Sequence, residues 1–215
     1  MEEQRQEIIQ SLKAITDVFR ECKAEYRIIG STLLVAYKNE LFRRIHDIDI
    51  ILDAKSKTSV FDILKKKGFI FKKRRWAGFT WFEAEKPGYL GLTFFLVGEF
   101  AKEYFTWKFS KRGELRINAT YLEPTEYVFD GVRFVGIPIA SAIAGIRQAF
   151  LNPKRSLDKR ILDKEMKRSK VRIYNNINVY VKGVKIPYLY DLFSFFYNIY
   201  GGLRVTFGQR WEAWE

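Results

Sequence analysis

One cysteine and one histidine among 215 residues leave little room for several kinds of chemistry. Cys22 alone cannot close an intrachain disulfide, and Cys22 with the lone His46 cannot build a zinc-finger site. No run of about 18 uncharged apolar residues occurs, so no membrane-spanning helix is expected. The N-terminal stretch MEEQRQEIIQ is acidic and amphipathic and lacks the basic and apolar regions of a secretory signal. Repeats, low-complexity segments and an obvious linker are missing as well. These absences lead to the expectation of a soluble, cytoplasmic protein in a reducing compartment, with no membrane partner.

What the chain does contain is apolar mass and positive charge. A hydrophobic share of 47%, with 17% aromatic residues, excludes disorder as the main state. The length suits one large domain, or a compact core with a small appended unit. Lys and Arg number 38 against 25 Asp and Glu, a formal charge of +13. Solubility alone asks for a magnitude of about 2 to 8, so the excess favours an anionic partner (nucleic acid, nucleotide or a membrane surface) over a merely solvated surface.

The periodicities alternate between helix and strand. Ile8, Ile9, Leu12, Ile15, Val18 and Phe19 repeat at helical spacing, which predicts an amphipathic helix over 3–23. Tyr26 to Ile29 reads as a buried strand that stops at Gly30, with Ser31 placed to cap a helix over 32–38. A strand follows from Asp47 to Leu52, then a helix over 57–66 ending in Lys65, Lys66, Lys67 and Gly68. Phe69 to Arg74, Phe79 to Glu85 and Tyr89 to Val97 form a meander separated by Ala77-Gly78 and Lys86-Pro87-Gly88. Between Glu99 and Asp130 the pattern is ambiguous, with strand-like pieces at Leu115 to Ala119 and Glu126 to Phe129. Val132 to Ile137 is a strand, IASAIAGIRQAFL a small-residue helix broken at Asn152-Pro153, and Ser156 to Lys167 a charged helix. A hairpin around Asn175-Asn176 and an aromatic helix over 188–200 complete the chain.

Asp47-Ile48-Asp49 is the chemical focus. In a strand, residues i and i+2 project to one side about 6 to 7 Å apart, so both carboxylates share a face that Ile48 and Ile50 do not. Two carboxylates at that spacing repel unless a cation lies between them. Paired Asp oxygens suit Mg²⁺ when substrate phosphates complete its octahedron. Seventeen residues ahead of Asp47, Gly30 permits close backbone approach to a ligand, and the helix after it points N–H groups at an anion.

These stretches, "IIGSTLLVAY" and "RRIHDIDIIL", resemble the hG[GS] and [DE]h[DE]h motifs of the nucleotidyltransferase fold of the DNA polymerase beta superfamily. The Gly-Ser-Thr-Leu-Leu segment and the Arg43-x-x-x-Asp47 spacing are most similar to the minimal nucleotidyltransferases of the abortive-infection toxin type. "GIPIASAIAGIRQAFLNPKRSLDKRILDKEM" is similar to that family's strand, basic helix, basic loop and acidic helix, with Arg147 in place of a nucleotide-facing lysine and Asp163 at an acidic position near the loop.

The resemblance implies an α+β fold: a nucleotidyltransferase-like mixed sheet flanked by helices over 1–137, with a helical and aromatic C-terminal region over 138–215 packed on it. It implies that Asp47 and Asp49 are catalytic and hold Mg²⁺ or Mn²⁺. Gly30, Ser31, Arg43 and Arg147 would bind the NTP. The reaction would move an NMP group to an RNA, tRNA-like, or protein hydroxyl, within a toxin–antitoxin or phage-defence pair that brings an antitoxin protein as partner. The chain departs from the family at Thr93, in Leu90-Gly91-Leu92-Thr93-Phe94-Phe95, where a third carboxylate is expected. Glu83 or Glu85 is a candidate replacement; the alternative is a catalytically inactive relative that binds nucleotide or nucleic acid.

Two basic clusters remain, Lys72-Lys73-Arg74-Arg75 beside Trp76, and Lys154-Arg155 with Lys159-Arg160. Both are candidate nucleic-acid contacts, against the plainer reading of solvated termini. His46 is expected to pack or support the Asp pair, Cys22 to be a small apolar residue, and the aromatics from Tyr188 to Tyr200 to be helix core or a dimer face.

Overall fold

A computed structural model describes residues 2–76, 78–98, 103–148, 154–168, 170 and 176–192. The first half alternates as expected. Helix α1 (Glu2–Glu21), strand β1 (Tyr26–Ile29), helix α2 (Gly30–Lys38), strand β2 (Asp47–Asp53) and helix α3 (Lys57–Lys66) lead into the meander β3 (Ile70–Trp76), β4 (Phe79–Glu85) and β5 (Gly91–Val97). The ambiguous stretch contains β6 (Tyr104–Lys108), β7 (Gly113–Asn118) and β8 (Thr125–Phe129), and β9 (Val132–Gly136) follows where a strand was expected. Helices α4 (Ile139–Gln148), α5 (Lys154–Ile161) and α6 (Asp163–Arg168) precede a hairpin of β10 (Ile177–Val181) and β11 (Val184–Ile186).

Seven strands form one mixed sheet in the order β3-β4-β5-β2-β1-β9-β8. β2 runs parallel to β5, and β1 parallel to β9; the other neighbours are antiparallel. Alternation gives this sheet two unlike faces. On one, Ile48, Ile50, Leu52, Phe94 and Ala84 are fully buried. Phe61 of α3 stacks on Phe71 and meets Phe82 and Phe94 edge-on, while Phe19 of α1 stacks on Tyr26. The other face carries Asp47, Asp49 and Thr93.

A second, antiparallel sheet has the order β11-β10-β7-β6 and is bridged to the end of β5 through Gly98 and Thr106. Among the described residues no helix is long and apolar enough to cross a membrane.

Two local expectations change. Helix α2 begins at Gly30 rather than after a Ser31 cap: Ile29 is its N-cap residue, and no side chain caps it. The charged helix over 156–167 is two short helices, α5 and α6. A hairpin of β10 and β11 turns at Lys182-Gly183, both with positive φ; the expected hairpin around Asn175-Asn176 reaches outside the described residues. Residues 171–175, and the aromatic segment beyond Leu192, lie outside the described residues.

Candidate active site

The site grows from the end of β1 and the start of β2. Ile29 pairs with Asp49 in the antiparallel ladder, so the chain leaves β1 and enters α2 directly beside that carboxylate. Gly30 has φ +70°, and a Cβ built on it would overlap Asp49 Oδ2. Only glycine fits such an approach without strain. The first turn of α2, with its outward N–H groups, and the Asp49 carboxylate therefore lie in contact. Asp47 and Asp49 are both partly exposed, whereas Ile48 and Ile50 between and beyond them are fully buried.

The parallel register sets Gly91 beside Asp47 and Thr93 beside Asp49. Thr93 Oγ1 donates a hydrogen bond of 3.1 Å to Asp47 Oδ2. The position where a third carboxylate was expected is thus adjacent to the pair, and a hydroxyl fills it. Across the next ladder, Glu83 faces Thr93, which puts it on the same face but two strands from Asp49, about 10 Å at ordinary strand spacing. Its two oxygens are occupied: Trp81 Nε1 donates to one at 3.0 Å and Arg74 Nε to the other at 2.8 Å. Glu85 pairs with Lys72 at 2.7 Å on the exposed rim. Among the described residues no group of three or more His, Cys, Asp and Glu is placed to hold a metal.

Arg43 ties the site together from outside. Its Nη2 donates to Ser31 Oγ, and its Nε donates at 2.8 Å to Asp158 Oδ1. Asp158, on α5, is fully buried. Sequence reasoning singled out Asp163 in this region. The structure gives that residue an exposed ion pair with Lys167 at 2.7 Å, and gives the buried role to Asp158. The signal available in the sequence was the pattern Leu157-Asp158, a charge amid the apolar spacing of a short helix. Lys38 pairs with Glu165 of α6 at 2.6 Å, and this bond holds the Glu165 carboxyl below its ordinary range.

The basic cluster Lys72-Lys73-Arg74-Arg75 divides by alternation. Lys72 and Arg74 share the face of the Asp pair, each neutralised by a glutamate, and Lys73 and Arg75 point to the opposite face. Arg147 lies in α4, and Lys154 and Arg155 in the first turn of α5; their side chains are outside the described residues, as is that of Trp76. The His46 side chain is exposed and does not pack; its carbonyl accepts from Gly91 N at 3.2 Å, locking β2 to β5. Cys22 is half-buried against the core, as expected of a small apolar residue.

No protein-family model and no curated protein matches the chain. Solved structures do. The lincosamide antibiotic adenylyltransferase LnuA with lincomycin bound aligns with a TM-score of 0.52 and 18% identity, over 62% of this chain and 82% of its own. ANT(2'')-Ia in complex with adenylyl-2''-tobramycin aligns at 0.50 and 16%, over 74% and 91%. The solution structure of the same antibiotic-resistance factor aligns at 0.52 and 17%, over 75% and 85%. The chain has a nucleotidyltransferase fold. The expected α+β architecture, a mixed sheet flanked by helices, is the one observed.

Within this nucleotidyltransferase-like frame the donor set fits a divalent cation held jointly with a ligand. Two aspartate carboxylates and the Thr93 hydroxyl supply hard oxygens, too few alone for a closed Mg²⁺ site and suitable for one completed by phosphates.

Proposed function

We propose that the protein is a Mg²⁺- or Mn²⁺-dependent nucleotidyltransferase that moves an NMP group from an NTP to a hydroxyl of RNA, with pyrophosphate as the leaving group. The observation that carries this reading is the contact between Gly30 and Asp49, which sets an anion-binding helix start against a carboxylate pair. A phosphate at the first turn of α2 would sit beside Asp49, and like charges that close call for a cation between them. Asp47 and Asp49 would hold that cation; the N–H groups of Gly30 and Ser31 would take the β- and γ-phosphates. Arg43, gripping Ser31 and Asp158, would orient the helix start. When bound, the metal would neutralise charge on the transferring phosphoryl group and its leaving oxygen. Arg147 is proposed as a further nucleotide contact, by resemblance.

Thr93 is no base at neutral pH. The acceptor proton would have to leave to water or to one of the two aspartates, so slow turnover is expected. The charge of +13 favours a polyanionic acceptor over a cationic one, and Lys72, Lys73, Arg74, Arg75, Lys154 and Arg155 are candidate contacts to it. A small hydroxylated acceptor, by likeness to the lincosamide adenylyltransferase, is the competing class. A place in a toxin–antitoxin or phage-defence pair, with an antitoxin partner, rests on the family resemblance.

The Thr93–Asp47 hydrogen bond favours a second reading, a relative that binds nucleotide without turning it over. Incubation with each α-labelled NTP, Mg²⁺ and total tRNA separates the two. Label on RNA, lost in Asp47→Asn and Asp49→Asn, supports the enzyme. NTP binding with no transfer to RNA, protein or small hydroxylated compounds supports the inactive relative.

A further inference from the structure

The second sheet has a face that the catalytic reading leaves unused. Alternation along β6, β7 and β10 sends Phe105, Leu115, Ile117, Ile177 and Val179 into the core. The same alternation turns Tyr104, Arg116 and Tyr180 outward, and the register lines them up diagonally across three adjacent strands. The Arg116 guanidinium lies 4.8 Å from the Tyr104 ring and 3.9 Å from the Tyr180 ring, a layered stack, with Glu114 accepting from its Nε at 2.7 Å. Tyr104 is 40% exposed.

At one end of this ridge two turns meet. Lys182 N donates to Arg112 O at 2.6 Å, joining the β10–β11 turn to the β6–β7 turn. They flank an open pocket of about 580 Å³ whose lining includes Lys108, Lys111, Arg112 and Lys182. All four cations are exposed, and among the described residues none has an ion pair. The one carboxylate there, Glu114, is already neutralised by Arg116. Four uncompensated cations at the mouth of an outward aromatic ridge match a chain that carries regular negative charge and flat unpaired rings.

We infer that the outer face of the β11-β10-β7-β6 sheet binds single-stranded RNA: bases stack on Tyr104 and Tyr180, and Lys108, Lys111, Arg112 and Lys182 contact the phosphates. Open sheets that display aromatic rings use this arrangement, since every base offers a π-face whatever its identity. The site uses none of the residues of the basic clusters on β3 and α5, although the β3–β4 turn at Gly78 packs against Phe109 of the β6–β7 turn, and it rests on the proposed function only for the choice of RNA as the polyanion.

The test uses the full chain and a fluorescein-labelled oligouridine of twenty nucleotides, titrated by anisotropy at several salt concentrations. A variant combining Lys108→Gln, Lys111→Gln, Arg112→Gln and Lys182→Gln should lower the log–log salt slope by about 3, four contacts at about 0.7 each. Tyr180→Ala should weaken binding about fivefold or more, and Tyr180→Phe should restore it to within about twofold. Unchanged slope and affinity in the charge variant overturn the assignment, whatever the Tyr180 variants do. It is equally overturned if the charge variant loses binding to phosphatidylserine vesicles while oligouridine binding stays intact, because the face is then a membrane-surface contact. The two readings fail separately. Oligouridine binding lost in the charge variant, with no nucleotide transfer by the wild type, keeps the platform and removes the transferase. Transfer to RNA by the wild type, with oligouridine slope and affinity unchanged in the charge variant, keeps the transferase and removes the platform.

Discussion

Gly30 and Thr93 are the two residues on which the chemistry turns. Gly30 combines a left-handed φ of +70° with a carboxylate where a side chain would stand. Gly30→Ala should therefore cost stability of about 1 to 3 kcal/mol and displace Asp49. Urea unfolding should show the first effect, and calorimetric titration with NTP and Mg²⁺ a loss of binding beyond it. Thr93→Asp is a test of opposite sign. A third carboxylate in hydrogen-bond reach of Asp47 adds like-charge repulsion, so in EDTA the variant should melt below the wild type. With Mg²⁺ the difference should shrink or reverse, and if turnover is limited by proton removal, RNA labelling should quicken. A melting temperature indifferent to Mg²⁺ in this variant would count against a cation at the pair.

At the scale of elements, α5 is coupled to the start of α2 through one buried carboxylate. Asp158 is fully buried and its guanidinium partner Arg43 largely so, with Arg43 also donating to Ser31. Removing one member of a buried pair strands the other, and Asp158→Ala should cost about 3 kcal/mol. Asp158→Asn keeps the shape and one acceptor, and should cost less. If the pair orients the helix start, NTP affinity should fall in both variants while the affinity of oligouridine for the second sheet stays the same. The α5–α2 link was legible only in part: the Arg43-x-x-x-Asp47 spacing drew attention to Arg43, but nothing local says that its partner lies 115 residues away. The four cations of β3 show the same limit. Read as one cluster, they divide between two faces as soon as the strand is formed.

For the whole molecule, two buried tyrosines make alkaline stability a measurable property. Burial pushes the Tyr127 hydroxyl up to about 12 from an ordinary 10.0, and raises that of Tyr121 further. Between those values the folded chain keeps protons that the unfolded chain has lost. Stability is then fully present below pH 10 and falls as pH rises toward 12. Urea midpoints from pH 9 to 11.5 should decline, and Tyr127→Phe should flatten the decline at the cost of the hydrogen bond to Ile137 O at 2.8 Å. A midpoint that does not change over that range would show the hydroxyl to be accessible.

By itself the sequence determined the local elements of the first hundred residues, because periodicity and turn residues are short-range properties. β1, α3 and β4 stand at their expected bounds, and the Asp47-Ile48-Asp49 alternation placed both carboxylates on the face away from Ile48 and Ile50. The resemblance to the nucleotidyltransferase pattern also singled out Thr93, where that pattern places a third carboxylate. Tertiary structure alone decided what depends on register between distant strands. It put Glu83 on the same face as the Asp pair yet occupied it with Arg74 and Trp81, brought Asp158 to Arg43, and joined β10 to β7. Each of these juxtapositions follows from long-range pairing of the chain, for which no residue pattern of a few positions carries a signal.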